Sequence, residues 1–285
     1  MQTASRTEFL LLSKLRAYLP DWVLLSELET EAINRLECGA RAIRRGADIV
    51  VQGRKYDSIF VLAEGFAIRY RLMADGRRQV FNVSIPGDTV GYPACFFDTA
   101  LYSVSALSNA IVYSISFADV AAIFRDHPRL ALTLFWSMAR ETAILGEHLA
   151  DVGWRSAYER LAHFLLEMAT RLAAIGMSDG TTFDLPITQA KLADVLGLSI
   201  PHVNRIVRRL REDGLIDMAG SRVRIVDRAA LATLVDFNDS YLSCKPTERT
   251  RAHFDSCTML KPNGNPMAPL RMEQSVGHLE ETRRR

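Results

Sequence analysis

A chain of 285 residues with 48% hydrophobic and 24% charged side chains can bury the cores of about two domains, and its net charge of +2 excludes a protein that is basic all over. Any contact with nucleic acid must then come from a local patch. Four cysteines, Cys38, Cys95, Cys244 and Cys257, stand far apart with no C-x-x-C pair, which excludes a zinc or iron–sulfur cassette of ordinary spacing and suits idle thiols in a reducing cytoplasm.

The N-terminus has neither the basic start nor the apolar core of a signal peptide, and no run of about 18 apolar residues follows, so the expected location is the cytoplasm, with no membrane contact. The first 40 or so residues read as helical. Phe9, Leu12, Leu15 and Leu19 recur at helical spacing until Pro20, and a second helix is expected over 27–37. From 40 to 116 the texture changes to short β-rich runs punctuated by Gly46, Gly53, Gly65, Gly76, Gly87 and Gly91. Strands are expected over 49–51, 59–62, 66–72, 79–85 and 111–115, with Asp75-Gly76 as a hairpin turn. This pattern predicts a small antiparallel barrel or roll.

A short helix over 117–124 and the break at Asp126-His127-Pro128 lead into a long helix over 129–152. On it Ala131, Leu134, Met138, Leu145 and Val152 follow alternating steps of three and four, interrupted by Glu141 and His148. That stripe predicts a two-helix dimer contact through Leu134, Met138, Leu145 and Val152. An amphipathic helix over 156–174 carries Leu161, Phe164, Leu165, Met168 and Leu172, and 175–184 reads as a loop.

The next stretch is the most informative. Thr188 is a good N-cap for a helix over 189–196, Gly197 tolerates the positive φ of a tight turn, and Ser199 and Pro201 suit the start of a second helix. In that helix Val203, Ile206, Val207 and Leu210 share one face. The opposite face holds Pro201, Arg205 and Arg208, flanked by His202, Asn204 and Arg209, and from Ser199 to Arg211 there are four arginines and no acid. Counting from Gln189, a small residue falls fifth (Ala193), glycine ninth (Gly197), and aliphatics fifteenth and eighteenth (Val203, Ile206). A small residue for close helix crossing, a turn glycine and two locking aliphatics make a helix-turn-helix whose second helix enters the major groove. Two strand-like runs, 215–218 and 223–226, follow around the turn Ala219-Gly220-Ser221 and predict a β-wing carrying Arg222 and Arg224. A closing helix is expected over 229–237, and the polar stretch from about 243, ending in Arg283-Arg284-Arg285, reads as disordered.

In this order of glycine-punctuated roll, helix after Pro128, and the run ITQAKLADVLGLSIPHVNRIVRRLREDGLI, the chain resembles the Crp/Fnr family of bacterial transcription regulators over roughly residues 25–237. The resemblance implies an α+β fold: an N-terminal antiparallel β-roll of the cyclic-nucleotide-binding type, a long dimerisation helix and a C-terminal winged helix-turn-helix. The expected divisions are 1–125, 126–153 and 154–237, with a tail over 238–285. The resemblance also implies a homodimer on a palindromic promoter site in double-stranded DNA, a small signal sensed in the roll and, for activators, RNA polymerase as a further partner. It implies no enzyme, and the chain has no Gly-rich phosphate loop, nucleophile elbow or metal-ligand spacing, so neither cofactor nor metal is expected.

Arg205 matches the family's most regular base-reading arginine, suited to bidentate contact with guanine O6 and N7. Ile200 and Pro201 occupy positions that are polar or charged base readers in the family, which leaves His202 and Asn204 as substitutes. Gln189 and Ser199 match positions that touch backbone phosphate, and Thr188, Arg208, Arg209 and Arg222 are further backbone candidates.

The effector site departs from the family. Cyclic-nucleotide members hold the ribose with a glycine–glutamate pair and the phosphate with an arginine–serine pair. Gly91-Tyr92 and Ala100-Leu101 stand in those places, and no Arg or Lys lies between Arg78 and Arg125. A buried phosphate without a cation is strongly disfavoured. The expected effector is therefore something other than cAMP or cGMP, or none, with Gly91, Tyr92, Leu101 and Ser103 as pocket candidates. The alternative is a cyclic-nucleotide-binding regulator whose phosphate partner comes from elsewhere. The oxygen-sensing branch needs clustered N-terminal cysteines, and only Cys38 lies there; haem would have to draw on His127 or His148.

Overall fold

The short β-rich runs close into two four-stranded antiparallel sheets in a computed structural model that describes residues 26–36 and 39–242. The helix expected around Phe9 to Leu19, the tail from 243, and Cys38, Cys244 and Cys257 lie outside the described residues. After α1 (Glu27–Leu36), the strands are β1 (Arg41–Ile43), β2 (Asp48–Val50), β3 (Ser58–Glu64), β4 (Ala67–Leu72), β5 (Arg78–Ser84), β6 (Thr89–Val90), β7 (Ser103–Ala106) and β8 (Ala110–Ser116). One sheet runs β1-β8-β3-β6 and the other β2-β7-β4-β5. The Asp75-Gly76 turn joins β4 to β5: the Met73 N–H donates to the Arg77 carbonyl at 2.9 Å, and Gly76 holds φ +81. β1, β6 and β7 were not expected from sequence. They are short or rich in Ser, Thr and Ala, so no run of large β-branched or aromatic residues marks them.

Between the sheets Val50, Phe60, Leu62, Ala67, Val90, Val104 and Val112 form an apolar core. The outer face of the first sheet, through Ile59, Val61, Tyr113 and Ile115, packs on α1, on α2 (Phe117–Asp126) and on the start of α3 (Pro128–Trp154). Burial on both faces explains why Ile59 to Ala63 form an unbroken apolar run. The outer face of the second sheet, through Ile68, Tyr70, Val80 and Val83, joins one core with α4 (Ala157–Ala174) and the C-terminal elements. The C-terminal half is thus seated directly on the roll.

α3 has 27 residues and a length of about 40 Å. Its inner face corrects the expected seam. Leu134 is buried in the core it shares with Ile59, Val61 and Tyr113, and the interrupting residues Glu141 and His148 lie on the same inward stripe. The outward stripe is displaced by one residue in the first half of each repeat: Phe135, Met138, Thr142, Leu145, Leu149 and Val152, at steps of three and four. Phe135, Leu149 and Val152 are 65%, 75% and 65% exposed. Met138, Leu145 and Val152 of the expected stripe keep their place on it, with Met138 and Leu145 partly buried. No helix among the described residues is long and apolar enough to cross a membrane.

A buried polar cluster ties the two halves together. Glu167 on α4 is fully buried; His148 Nε2 lies 2.9 Å from its carboxylate, Arg171 Nη1 donates to it at 3.0 Å and the Tyr241 hydroxyl at 3.2 Å. Arg171 also donates to Asp88 at 2.8 Å and to Asn82 at 3.3 Å, both in the roll. His148 Nδ1 lies 3.0 Å from the Phe81 carbonyl. A neutral imidazole has a single N–H, whereas both neighbours here are acceptors, so the site favours imidazolium. Burial opposes that charge, but the Glu167 carboxylate, its hydrogen bond and the Phe81 carbonyl outweigh burial and raise the His148 pKa. Burial likewise works against ionised Glu167, yet His148, Arg171 and His163 hold its carboxyl far below the usual range.

Candidate nucleic-acid interface

The reading unit begins where Thr188 Oγ1 accepts the Lys191 N–H at 3.2 Å and caps α5 (Gln189–Leu196). Gly197 ends α5 in the left-handed region at φ +64, and the Leu198 N–H returns to the Ala193 carbonyl at 3.0 Å. α6 (Ile200–Glu212) follows, with Pro201 in its first turn. Val203, Ile206 and Leu210 are buried in the core that also holds Leu192, Ala193 and Leu196, so each spaced position of the sequence pattern has the packing role expected of it. Ser199 is exposed at the N-cap, and its hydroxyl makes no capping bond.

This packing turns Asn204, Arg205, Arg208 and Arg209 to the surface, while His202 is partly buried. The arginines differ in electrostatic state. Arg208 pairs with Glu212 at 2.7 Å, Arg209 with Asp213 at 3.8 Å and Arg211 with Asp217 at 3.8 Å. Among the described residues Arg205 has no acidic partner within 4.0 Å, although it stands on the same helix. Thr188 and Gln189 are exposed at the start of α5.

The wing is a three-stranded sheet in the order β10 (Ile216–Ala219), β11 (Arg222–Ile225), β9 (Thr182–Asp184). β9 corrects the reading of 175–184 as a loop; Phe183, opposite Val223, is the one buried residue of a strand too short to show alternation. Arg222 is exposed and 3.5 Å from Asp184, and Arg224 is 3.9 Å from Asp217. α7 (Arg228–Val235) closes the unit.

The four pocket candidates stand in different surroundings. Gly91, at φ +72, packs so closely that a Cβ there would lie 2.6 Å from Val50 Cγ2. Ser103 spends its hydroxyl on the Gln52 N–H at 2.9 Å, and Leu101 points outward, 51% exposed. Tyr92 is half-buried beside the pair Arg69–Glu141. A cavity of about 430 Å³ lies elsewhere, between β5, α3, α4 and α5, lined by Val80, Phe81, Leu145, Leu149, Phe164 and Val195. Both ring nitrogens of His148 are engaged within the protein, Nδ1 with the Phe81 carbonyl and Nε2 with Glu167. Among the described residues no three His, Cys, Asp or Glu side chains are placed to hold a metal ion. Arg69, buried beside Tyr92, lies outside the stretch from Arg78 to Arg125, so the absence of Arg and Lys between those two residues did not point to it.

Residues 159–234 match the Crp-like helix-turn-helix domain family, and residues 40–127 the cyclic nucleotide-binding domain family. The chain is 27% identical over 212 residues to the transcriptional activator protein FnrA of Stutzerimonas stutzeri, covering 74% of this chain and 86% of that protein. It is 31% identical over 191 residues to the nitrogen fixation regulation protein FixK of Azorhizobium caulinodans, covering 67% and 76%. The solved structure of FixK2 from Bradyrhizobium japonicum superposes with a TM-score of 0.62 at 23% identity, covering 68% of this chain and 96% of that one, a likeness of fold.

Proposed function

The chain belongs to the Crp/Fnr family of transcription regulators, and from that premise we propose that it is a sequence-specific regulator acting in the cytoplasm as a homodimer on a palindromic promoter site. In this reading 1–125 is the sensor, 126–153 the dimer helix and 154–237 the reading domain. Arg205 takes a guanine edge, His202 and Asn204 read neighbouring bases, and Thr188, Gln189, Ser199, Arg208, Arg209 and Arg222 grip phosphate. The observation that carries it is Arg205, exposed on a helix locked by Val203 and Ile206 and free of the acids that neutralise Arg208, Arg209 and Arg211. A guanidinium without an internal partner loses no ion pair on entering the groove. The outward stripe of α3 supports the dimer: Phe135, Leu149 and Val152 are exposed in the single chain, and the stripe follows the spacing of a two-helix seam. RNA polymerase is the further partner if the protein activates. The effector is a small molecule other than cAMP, or none.

Selection from a random-sequence duplex pool at fixed salt, with and without cAMP, tests this reading. A palindrome enriched equally in both arms is the expected outcome. Enrichment only with cAMP replaces the effector assignment with the cyclic-nucleotide alternative, and no enrichment in either arm means that a different effector is required or that α6 does not read sequence.

A further inference from the structure

Arg69 on β4 is a buried cation of the sensor half. Its side chain is 5% exposed, and Nη1 is 2.5 Å from Glu141 Oε1 on α3. Nη1 also donates to the Tyr102 hydroxyl at 3.4 Å, and the guanidinium lies over the Tyr102 ring, 5.0 Å from its centroid. Among the described residues the opposite edge, Nε and Nη2, makes no hydrogen bond of ordinary geometry, and the Tyr92 hydroxyl is a close polar neighbour of the guanidinium. These two N–H groups point the same way and form one fork of the planar guanidinium, the geometry that takes a carboxylate or phosphate side-on. A buried charged donor edge without an acceptor is costly, so this fork is an exception that calls for a partner.

We propose that the Nε/Nη2 edge of Arg69 is an oxyanion site, taking the carboxylate or phosphate group of a small ligand between the roll and α3 while Glu141 holds the other edge. The proposal rests on the reading of the roll as a sensor and gives that sensor a ligand class. Tyr92 and Tyr102, both half-buried, flank the site. Burial raises both phenols, Tyr102 to about 12, so each keeps its hydroxyl hydrogen and can donate to an anion. Glu141 is the competing anion. Burial first, then Asp88, raise its carboxyl against the pull of Arg69, so an arriving oxyanion and Glu141 share one cation. Because Glu141 sits on α3, occupancy at Arg69 acts directly on the helix proposed to pair in the dimer. The arginine also stands outside the segment where family members keep theirs, which is the place the cyclic-nucleotide alternative left open.

Calorimetric titration of the full chain with acetate, benzoate, inorganic phosphate and cAMP, in a chloride buffer, tests the site. At least one probe is expected to bind saturably at one site per chain; the carboxylate and phosphate arms separate the two sources. Arg69→Lys, which keeps the charge and loses the fork, is expected to weaken that binding at least tenfold. Glu141→Gln is expected to tighten it several-fold, and Arg77→Gln on the exposed β4–β5 turn to leave it unchanged. Arg69→Gln serves as a second variant if the lysine form does not fold. Absence of saturable binding by all four probes, or equal affinity in wild type, Arg69→Lys and Glu141→Gln, overturns the proposal. Palindrome selection by the same preparations keeps the outcomes separate: no saturable binding by the wild-type chain together with intact selection sinks the oxyanion site and leaves the regulator standing.

Discussion

Two arginines show how the reading half and the sensing half differ. Arg205 is exposed and carries no ion pair among the described residues, and its position follows from its own helix. Arg69 is buried, and its surroundings come from Tyr102 just before β7, from α3 and from the turn after β6. A site on a helix surface is written in consecutive residues, because the periodicity that packs one face presents the other. A site inside a roll is written in pieces brought together by the fold.

The largest test of this contrast concerns the joint between the halves. Glu167→Ala leaves Arg171 and His148 buried without their carboxylate and is expected to cost about 3–5 kcal/mol of stability in urea unfolding. A loss below about 1 kcal/mol would mean that the halves do not depend on the cluster. Next comes the register of α3. Leu134→Ala is expected to cost about 2–5 kcal/mol of stability while leaving the sedimentation of the chain unchanged, whereas Leu149→Glu is expected to shift it to monomer. If Leu134→Ala dissociates the dimer and Leu149→Glu does not, the seam lies on the inner stripe after all.

A smaller effect is expected at the reading helix. Arg205→Ala should cost about 1–3 kcal/mol on the selected palindrome and relax one base position. Equal loss on random duplex would reduce Arg205 to a phosphate grip. The smallest effect is pH dependence at the joint. The folded His148 pKa is raised above its ordinary 6.5, so its contribution is complete below 6.5 and is lost as pH rises through the raised value. Glu167 is held below its ordinary 4.5, so its contribution is present above 4.5 and is lost as pH falls through the depressed value. The groups facing His148 are Glu167, Arg171 and the Phe81 carbonyl, with Asp88 behind Arg171. The urea midpoint is expected to fall from about pH 6 to about pH 9, and His148→Gln to flatten that slope; an unchanged slope in the variant would assign the pH dependence to other groups.

Much of the fold was legible because its signals are local. The bounds of α5 follow from Thr188 and Gly197, and the β4–β5 hairpin from Asp75-Gly76. The α3 seam was half legible. Inner and outer stripes share Met138, Leu145 and Val152 within the drift of a 3.6-residue helix, and only tertiary neighbours decide between Leu134 and Phe135. The polar interruptions at Glu141 and His148 were the overlooked signal, since charged residues on an apolar stripe need buried partners. Those partners, Arg69 and Glu167, are remote in sequence, and no spacing reveals them. Two of the four pocket candidates, Gly91 and Leu101, were carried by likeness of position. Here Gly91 is packed on Val50 and Leu101 faces solvent.

Glu141 and His148 stand seven residues apart on one stripe of α3, about 10 Å along its axis. One grips the interior of the roll and the other the anchor helix of the reading domain. The rod that bears them works as a camshaft: any turn about its long axis drives both lobes through the same angle, and carries the outward stripe with them.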